Sequence, residues 1–186
     1  LTKRHDRRGR KAANWLVFGS FIYKYDFMKK KIVELLATGL YLGKIKKMPG
    51  TFGTLLGIPL AYGLAHLSIY AYMILTILLI LLACFIAELH ENFTNAHDPK
   101  EIVIDEIVGY LVAFIWLPLT WQSFLAAFIL FRFFDILKPW PICAIDQKVK
   151  GGLGTVMDDV AAGIATSIIL QIIYTNTTLL GEQLVK

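Results

Sequence analysis

Three long stretches of the chain carry no Asp, Glu, Lys or Arg: residues 48–87, 107–131 and 160–181, which are 40, 25 and 22 residues long. A helix needs roughly 20 mainly apolar residues to cross the hydrocarbon of a bilayer, where the backbone has to satisfy its own hydrogen bonds. Buried helices of soluble proteins rarely run this far without a charge, so the pattern predicts an all-α, polytopic membrane helical bundle with short or re-entrant helices. The first stretch divides into crossings over 51–66 and 68–87, with a tight turn at Leu67 and Ser68. Residues 32–41 are apolar but short and contain Glu34, which reads as an interfacial or re-entrant helix. Residues 160–174 supply the last crossing.

The stretch 107–131 admits two readings. One is a single tilted span. The other is a pair of short helices turning at residues 117–120, where Pro118 lacks a backbone donor. A single span would carry Arg132, Lys138, Lys148 and Lys150 to the side opposite the basic N-terminus. Two short helices shielded by neighbouring protein keep every polar segment at one membrane face, and that reading is preferred.

Composition agrees: 56% of residues are hydrophobic and 18% charged, against about 25% charged in ordinary soluble domains. Residues 1–47 hold 13 Lys or Arg and 3 acids, and residues 88–106 hold 6 acids and 1 Lys. The net charge of +5 therefore comes from the N-terminus. Residues 1–31 form a basic arm, expected to be cytoplasmic, and residues 32–186 a membrane-embedded domain. Because the arm adjoins membrane segments, anionic lipid is its expected partner and nucleic acid is not. It lacks the pattern of a cleaved signal peptide. The two cysteines, Cys84 and Cys143, have no metal-ligand spacing and imply no disulfide framework.

Four polar segments interrupt the apolar pattern. In the first, Asp98 and Pro99 read as an N-cap with Pro at N1, and Glu101 as the N3 member of a capping box. Asp105 and Glu106 then lie beyond that first turn, where acids are costly; Glu101 and Asp105 would share a helix face. Such a cluster is either a metal site or an acidic interfacial loop. In the second, Arg132, Asp135 and Lys138 recur every three residues at the end of an apolar run, as an ion pair with a snorkelling lysine or as a phosphate clamp beside an acid. In the third, the glycine-rich Gly151-Gly152-Leu153-Gly154 reads as a flexible loop leading to Asp158 and Asp159, either of which would cap a helix starting near Val160. It is neither a Walker loop nor a dinucleotide fingerprint. In the fourth, Thr51 and Thr54 flank glycines and would donate to phosphate or cap the first crossing. Oxygen ligands without a His or Cys set favour Mg2+, and Mg2+ with Arg and Lys favours phosphate chemistry.

Several motifs in order resemble the phosphatidylglycerophosphatase A family. They are Leu36-Ala37-Thr38-Gly39, Pro49-Gly50-Thr51-Phe52-Gly53-Thr54, Asp105-Glu106-Ile107-Val108-Gly109, the run from Phe131 to Pro141, Gly151 to Gly154, and Asp158 to Gly163. The resemblance covers about residues 32–174. It implies a bacterial inner-membrane enzyme, its active face cytoplasmic, that removes the terminal phosphate of phosphatidylglycerophosphate with Mg2+. Metal ligands are then expected among Asp98, Glu101, Asp105, Asp135, Asp158 and Asp159. Glu106 would be a further ligand or a base, and Arg132 and Lys138 would balance the charge of the phosphoryl group. Thr51, Thr54 and Gly152 are the other candidates for phosphate contact. Direct attack by water and an aspartyl-phosphate route both stay open. The competing readings are a phosphatase for another lipid phosphate and a small transporter or assembly protein; a transporter should place a polar site near the bilayer midplane.

Overall fold

The computed structural model describes residues 27–96 and 99–181. The basic arm up to residue 26 and Asp98 lie outside the described residues. All described elements are helical. Residues 27–37 form α1, followed by a 3-10 turn at Leu42–Lys44, then α2 (Pro49–Leu64), α3 (Ile69–Thr94), α4 (Ile104–Ala113), α5 (Trp121–Leu137), α6 (Ile142–Lys148) and α7 (Gly151–Asn176).

Local chemistry explains the boundaries. Pro49 begins α2 at the position where a missing N–H costs nothing. The Ser68 hydroxyl accepts from the Ala71 N–H and starts α3, which runs 26 residues until Asn95 turns left-handed. The Thr120 hydroxyl accepts from the Ser123 N–H and starts α5. The two-helix reading of 107–131 holds: α4 ends at Ala113, and the chain turns through Trp116 and Pro118 before α5.

Among the described residues two helices, α3 and α7, are long and apolar enough to cross a membrane, at 26 residues each. That is about 39 Å at 1.5 Å per residue. Protein covers little of α3, whose Ile74, Ile77, Leu78, Leu81 and Phe85 are exposed. An apolar surface of this extent needs a nonaqueous neighbour. Exposed tryptophans stand at both ends of the bundle, Trp116 and Trp121 at one and Trp140 at the other, as an interfacial belt requires. At 16 residues α2 is shorter than a full crossing. Helix α3 continues past the expected limit at Ala87 to Thr94.

The ten-residue α4 is the centre of the bundle, buried continuously from Val108 to Ala113. Small residues let its neighbours approach. A Cβ on Gly163 of α7 would strike the Gly109 carbonyl, and one on Gly57 of α2 would come within 3.0 Å of the Tyr110 ring. A short helix inside apolar surroundings leaves carbonyls at its C-terminal end that need donors. The Tyr72 hydroxyl of α3 donates to the Leu111 carbonyl at 2.9 Å, and the Gln171 amide of α7 donates to the Ile115 carbonyl at 3.1 Å.

Two expectations are corrected. The glycine-rich segment is not a flexible loop but the first turn of α7. Its glycines serve contact: a Cβ on Gly152 would collide with the backbone of Cys84 and Glu88 on α3. Asp158 and Asp159 therefore lie two turns inside a helix and cap nothing. Glu101 is not the third residue of a helix either, because α4 starts only at Ile104, after a turn in which the Ile102 N–H donates to the Pro99 carbonyl; Asp98, the expected N-cap, lies outside the described residues.

Gly109→Ala places a Cβ 2.7 Å from the Phe131 ring and 2.9 Å from the Asp159 carbonyl. It should lower stability by about 1–3 kcal/mol through overpacking. Gly63→Ala, where nothing lies within 4 Å, should be neutral or stabilising by up to ~1 kcal/mol. Thermal unfolding of both variants in detergent checks the contrast.

Candidate active site

Four segments meet at one end of the bundle: the start of α2, residues 100–106 leading into and opening α4, the end of α5 and the first turns of α7. They enclose a cavity of about 270 Å³. Asp105, Glu106, Asp135, Asp158 and Asp159 line it, together with Lys100, Arg132 and Lys138. Five carboxylates face three cations, which leaves the ionised cavity short of positive charge.

Because α4 starts at Ile104, Asp105 and Glu106 stand in its first turn, where free N–H groups and the helix dipole favour negative charge. The Glu106 N–H donates to Asp105 Oδ1 at 3.0 Å. Asp159 approaches from α7 and is only 3% exposed; Asp105 is 7% exposed. One oxygen from each of Asp105, Glu106 and Asp159 can lie within 4.8 Å of the others. Burial first, and then the neighbouring Asp105 charge, push the Glu106 carboxyl well above the usual carboxylate range.

The cations sit opposite. Arg132 is paired with Asp135 one turn later on α5, and its Nη1 lies 3.7 Å from Glu106 Oε1. Lys138 caps α5 in a left-handed conformation, which turns its ammonium toward Asp158 Oδ2 at 2.6 Å and Asp146 Oδ1 at 2.5 Å. Burial opposes its charge, but the bonds to Asp146 and Asp158 outweigh that and hold Lys138 above the usual lysine range.

Among the described residues, four buried side-chain polar atoms have no hydrogen-bond partner. Three of them, Glu106 Oε2, Arg132 Nε and Asp158 Oδ1, belong to residues lining this cavity. Buried polar groups are almost always satisfied in folded proteins, so their concentration here marks a place for a charged ligand. The oxygen-only, buried donor set of Asp105, Glu106 and Asp159 fits a hard divalent cation such as Mg2+.

Of the residues expected from sequence, Asp105, Glu106, Arg132, Asp135, Lys138, Asp158 and Asp159 are brought together. Four others are placed elsewhere. Glu101 bonds His90 at 3.0 Å beside a separate, smaller pocket under α1. The Thr54 hydroxyl donates to the Gly50 carbonyl of its own helix. Thr51 sits half-buried in the first turn of α2, outside the cavity lining. The Gly152 N–H donates to Glu88 Oε2 at 2.7 Å, so it is not open to phosphate.

Sequence reasoning passed over Lys100 and Thr155 as lining residues, and Glu91, which accepts from the Thr155 hydroxyl at 2.6 Å. Glu88 and Glu91 hold the start of α7 against α3. Their spacing of three at the end of a long apolar run was the available signal.

The sequence profile described as Phosphatidylglycerophosphatase A matches residues 35–174. The chain belongs to the phosphatidylglycerophosphatase A family. Among its relatives, Phosphatidylglycerophosphatase A of Haemophilus influenzae is 42% identical over 140 residues, covering 74% of this chain and 86% of the relative. The Escherichia coli protein of the same name is 36% identical over 141 residues, covering 75% and 82%. A Bacteroides thetaiotaomicron protein, provisionally named a phosphatidylinositol-3-phosphatase, is 33% identical over 150 residues, covering 74% and 91%. No solved structure matches the chain. All seven residues that the cavity gathers fall inside the matched segment.

Gly50 shows how closely this family site is packed. A Cβ there would overlap Glu106 Oε1 and come within 2.9 Å of Arg132 Nη1. Gly50→Ala should therefore cut phosphatase turnover by at least about tenfold, as misplacement of positioned groups does, while Gly63→Ala leaves it unchanged. Phosphate release by the two variants in detergent is the measurement.

Proposed function

We propose that this protein hydrolyses the terminal phosphomonoester of phosphatidylglycerophosphate, giving phosphatidylglycerol and inorganic phosphate, with Mg2+. The observation that carries the reading is the cluster of Asp105, Glu106 and Asp159 set against Arg132 and Lys138 at one end of an apolar bundle. Family membership and the printed names of the relatives support the substrate. A bacterial inner membrane, with the cavity facing the cytoplasm, agrees with the basic N-terminal arm.

Asp105, Glu106 and Asp159 would hold the cation, which supplies positive charge against the phosphoryl oxygens when bound. Arg132 has the planar donor fork suited to two phosphoryl oxygens, and Asp135 keeps that fork aimed. Lys138, fixed between Asp146 and Asp158, adds a second positive charge as negative charge shifts toward the leaving oxygen. Water attacks phosphorus in line. Its oxygen forms the new P–O bond, and the bond to the glycerol oxygen breaks. A cavity carboxylate takes a proton from the water, and the departing alkoxide gains one. Direct attack by water is preferred to a covalent intermediate because the two cavity aspartates outside the metal set, Asp135 and Asp158, are held by Arg132 and Lys138.

The central test is phosphate release against Mg2+ concentration for wild type, D105N, D135N, D159N and R132K, each shown to be folded. The three Asn variants should lose orders of magnitude in turnover, and a second substitution should cost far less than its single effect. R132K should also be damaged, because an ammonium cannot reproduce the fork, yet keep its Mg2+ dependence. Near-normal rates in two of the Asn variants reject the shared site, and full activity in chelator rejects the metal.

Sidedness is tested separately. In a background lacking Cys84 and Cys143, cysteines at positions 100 and 148 should react only when the cytoplasmic side is exposed. Labelling of position 148 from outside intact cells contradicts the orientation.

A further inference from the structure

The cavity lining mixes charge with large apolar side chains: Lys100 and Lys138 line it, and so do Met48 and Ile136. Met48 is 63% exposed and Ile136 64%, although both line a cavity full of charge. Large apolar side chains at such a mouth would hinder a freely dissolved phosphate, whereas they suit a ligand with an apolar tail.

Each also heads a row of exposed apolar positions running away from the cavity. Met48, at the left-handed N-cap, stands just before α2, whose exposed Leu55 and Tyr62 are seven residues apart. On α5 the row is Ile136, Ile129 and Leu125, seven and four apart. Those spacings keep a row on one helix face. Both rows border the same seam. Far from the cavity the Tyr62 and Phe124 rings are 6.2 Å apart, and next to the cavity a Cβ on Gly50 would come within 2.9 Å of Arg132 Nη1.

We propose that the seam between α2 and α5 is a lateral portal for a lipid phosphomonoester: an acyl chain lies along the two rows in the bilayer, and the phosphate passes between Met48 and Ile136 to reach Arg132. The inference rests on the lipid-phosphatase reading above and adds the route and the chain-binding face. The exposed face of α3 is as apolar but does not serve, because the polar residues at its end, Glu88 and Glu91, are engaged with Gly152 and Thr155 and do not open on the cavity lining. The apolar groove between α1 and α3 shares no residue with the cavity lining.

The test uses a diacyl lipid ending in a non-hydrolysable phosphonate, with a diazirine midway along one acyl chain. It is incubated with full-length wild-type protein in phosphatidylcholine nanodiscs and photolysed. Label should concentrate on peptides carrying Leu55, Leu125 and Ile129. It should fall about fivefold or more under excess unlabelled phosphatidylglycerophosphate, by mass action, while label on Leu78 and Leu81 of α3 stays constant. Equal labelling of α3, or seam labelling that the competitor does not reduce, overturns the portal. Phosphate release from unmodified phosphatidylglycerophosphate is measured on the same preparation. Release without competed seam labelling overturns the portal and leaves the phosphatase reading standing. Competed seam labelling without release supports the portal and overturns the phosphatase reading.

Discussion

Carboxylates crowded at the end of an apolar bundle repel one another, and the repulsion grows as water is excluded. This protein sets five of them around one cavity, with Asp105 and Asp159 almost wholly buried. Its own cations offset part of that charge. Arg132 stands between Asp135 and Glu106, and Lys138 between Asp146 and Asp158. What remains is an unfilled requirement for positive charge, seen in the unpartnered oxygens of Glu106 and Asp158. A divalent cation would meet it on the acid side, and a phosphate would meet the unpartnered Nε donor of Arg132 in turn.

The architecture exists to hold that arrangement. Helix α4 is short enough to begin with two acids at the polar end and still be buried continuously through its second half. Glycines at positions 57, 109 and 163 let α2, α4 and α7 come together without a Cβ between them. At the cavity end, Glu88 and Glu91 tie α7 to α3, so that Asp158 and Asp159 are delivered by a helix anchored on a membrane-crossing neighbour. Acids placed by helices lose less orientational freedom on binding than acids on loops, which suits a site that works by electrostatic stabilisation.

Much of this could be read from the residues. The charge-free stretches located the membrane helices, and Pro118 with the flanking charges located the break between α4 and α5. A topology that keeps the polar segments at one face already brings Asp105, Arg132, Asp135, Lys138 and Asp159 together. Local rules failed where tertiary contact overrode them. Gly151 to Gly154 had the composition of a loop but is helical, because contact with α3 demands small residues there. Asp98 and Glu101 have the spacing of a capping box, yet Glu101 bonds His90 and the helix begins only at Ile104. The hydroxyl of Thr54 and the N–H of Gly152 are consumed by partners that no spacing rule reveals.

The proposed cation site draws its acids from both α4 and α7. Mn2+ reports on such a site directly, because its electron paramagnetic resonance signal changes on binding and needs no substrate or turnover. Titrating Mn2+ into wild-type protein in detergent should reveal a bound ion that Mg2+ displaces. Its affinity should fall by about tenfold or more in both Asp159→Asn and Glu106→Gln, which remove ligands from different helices. Binding of equal strength in wild type and both variants, or no binding in wild type, would contradict the shared site.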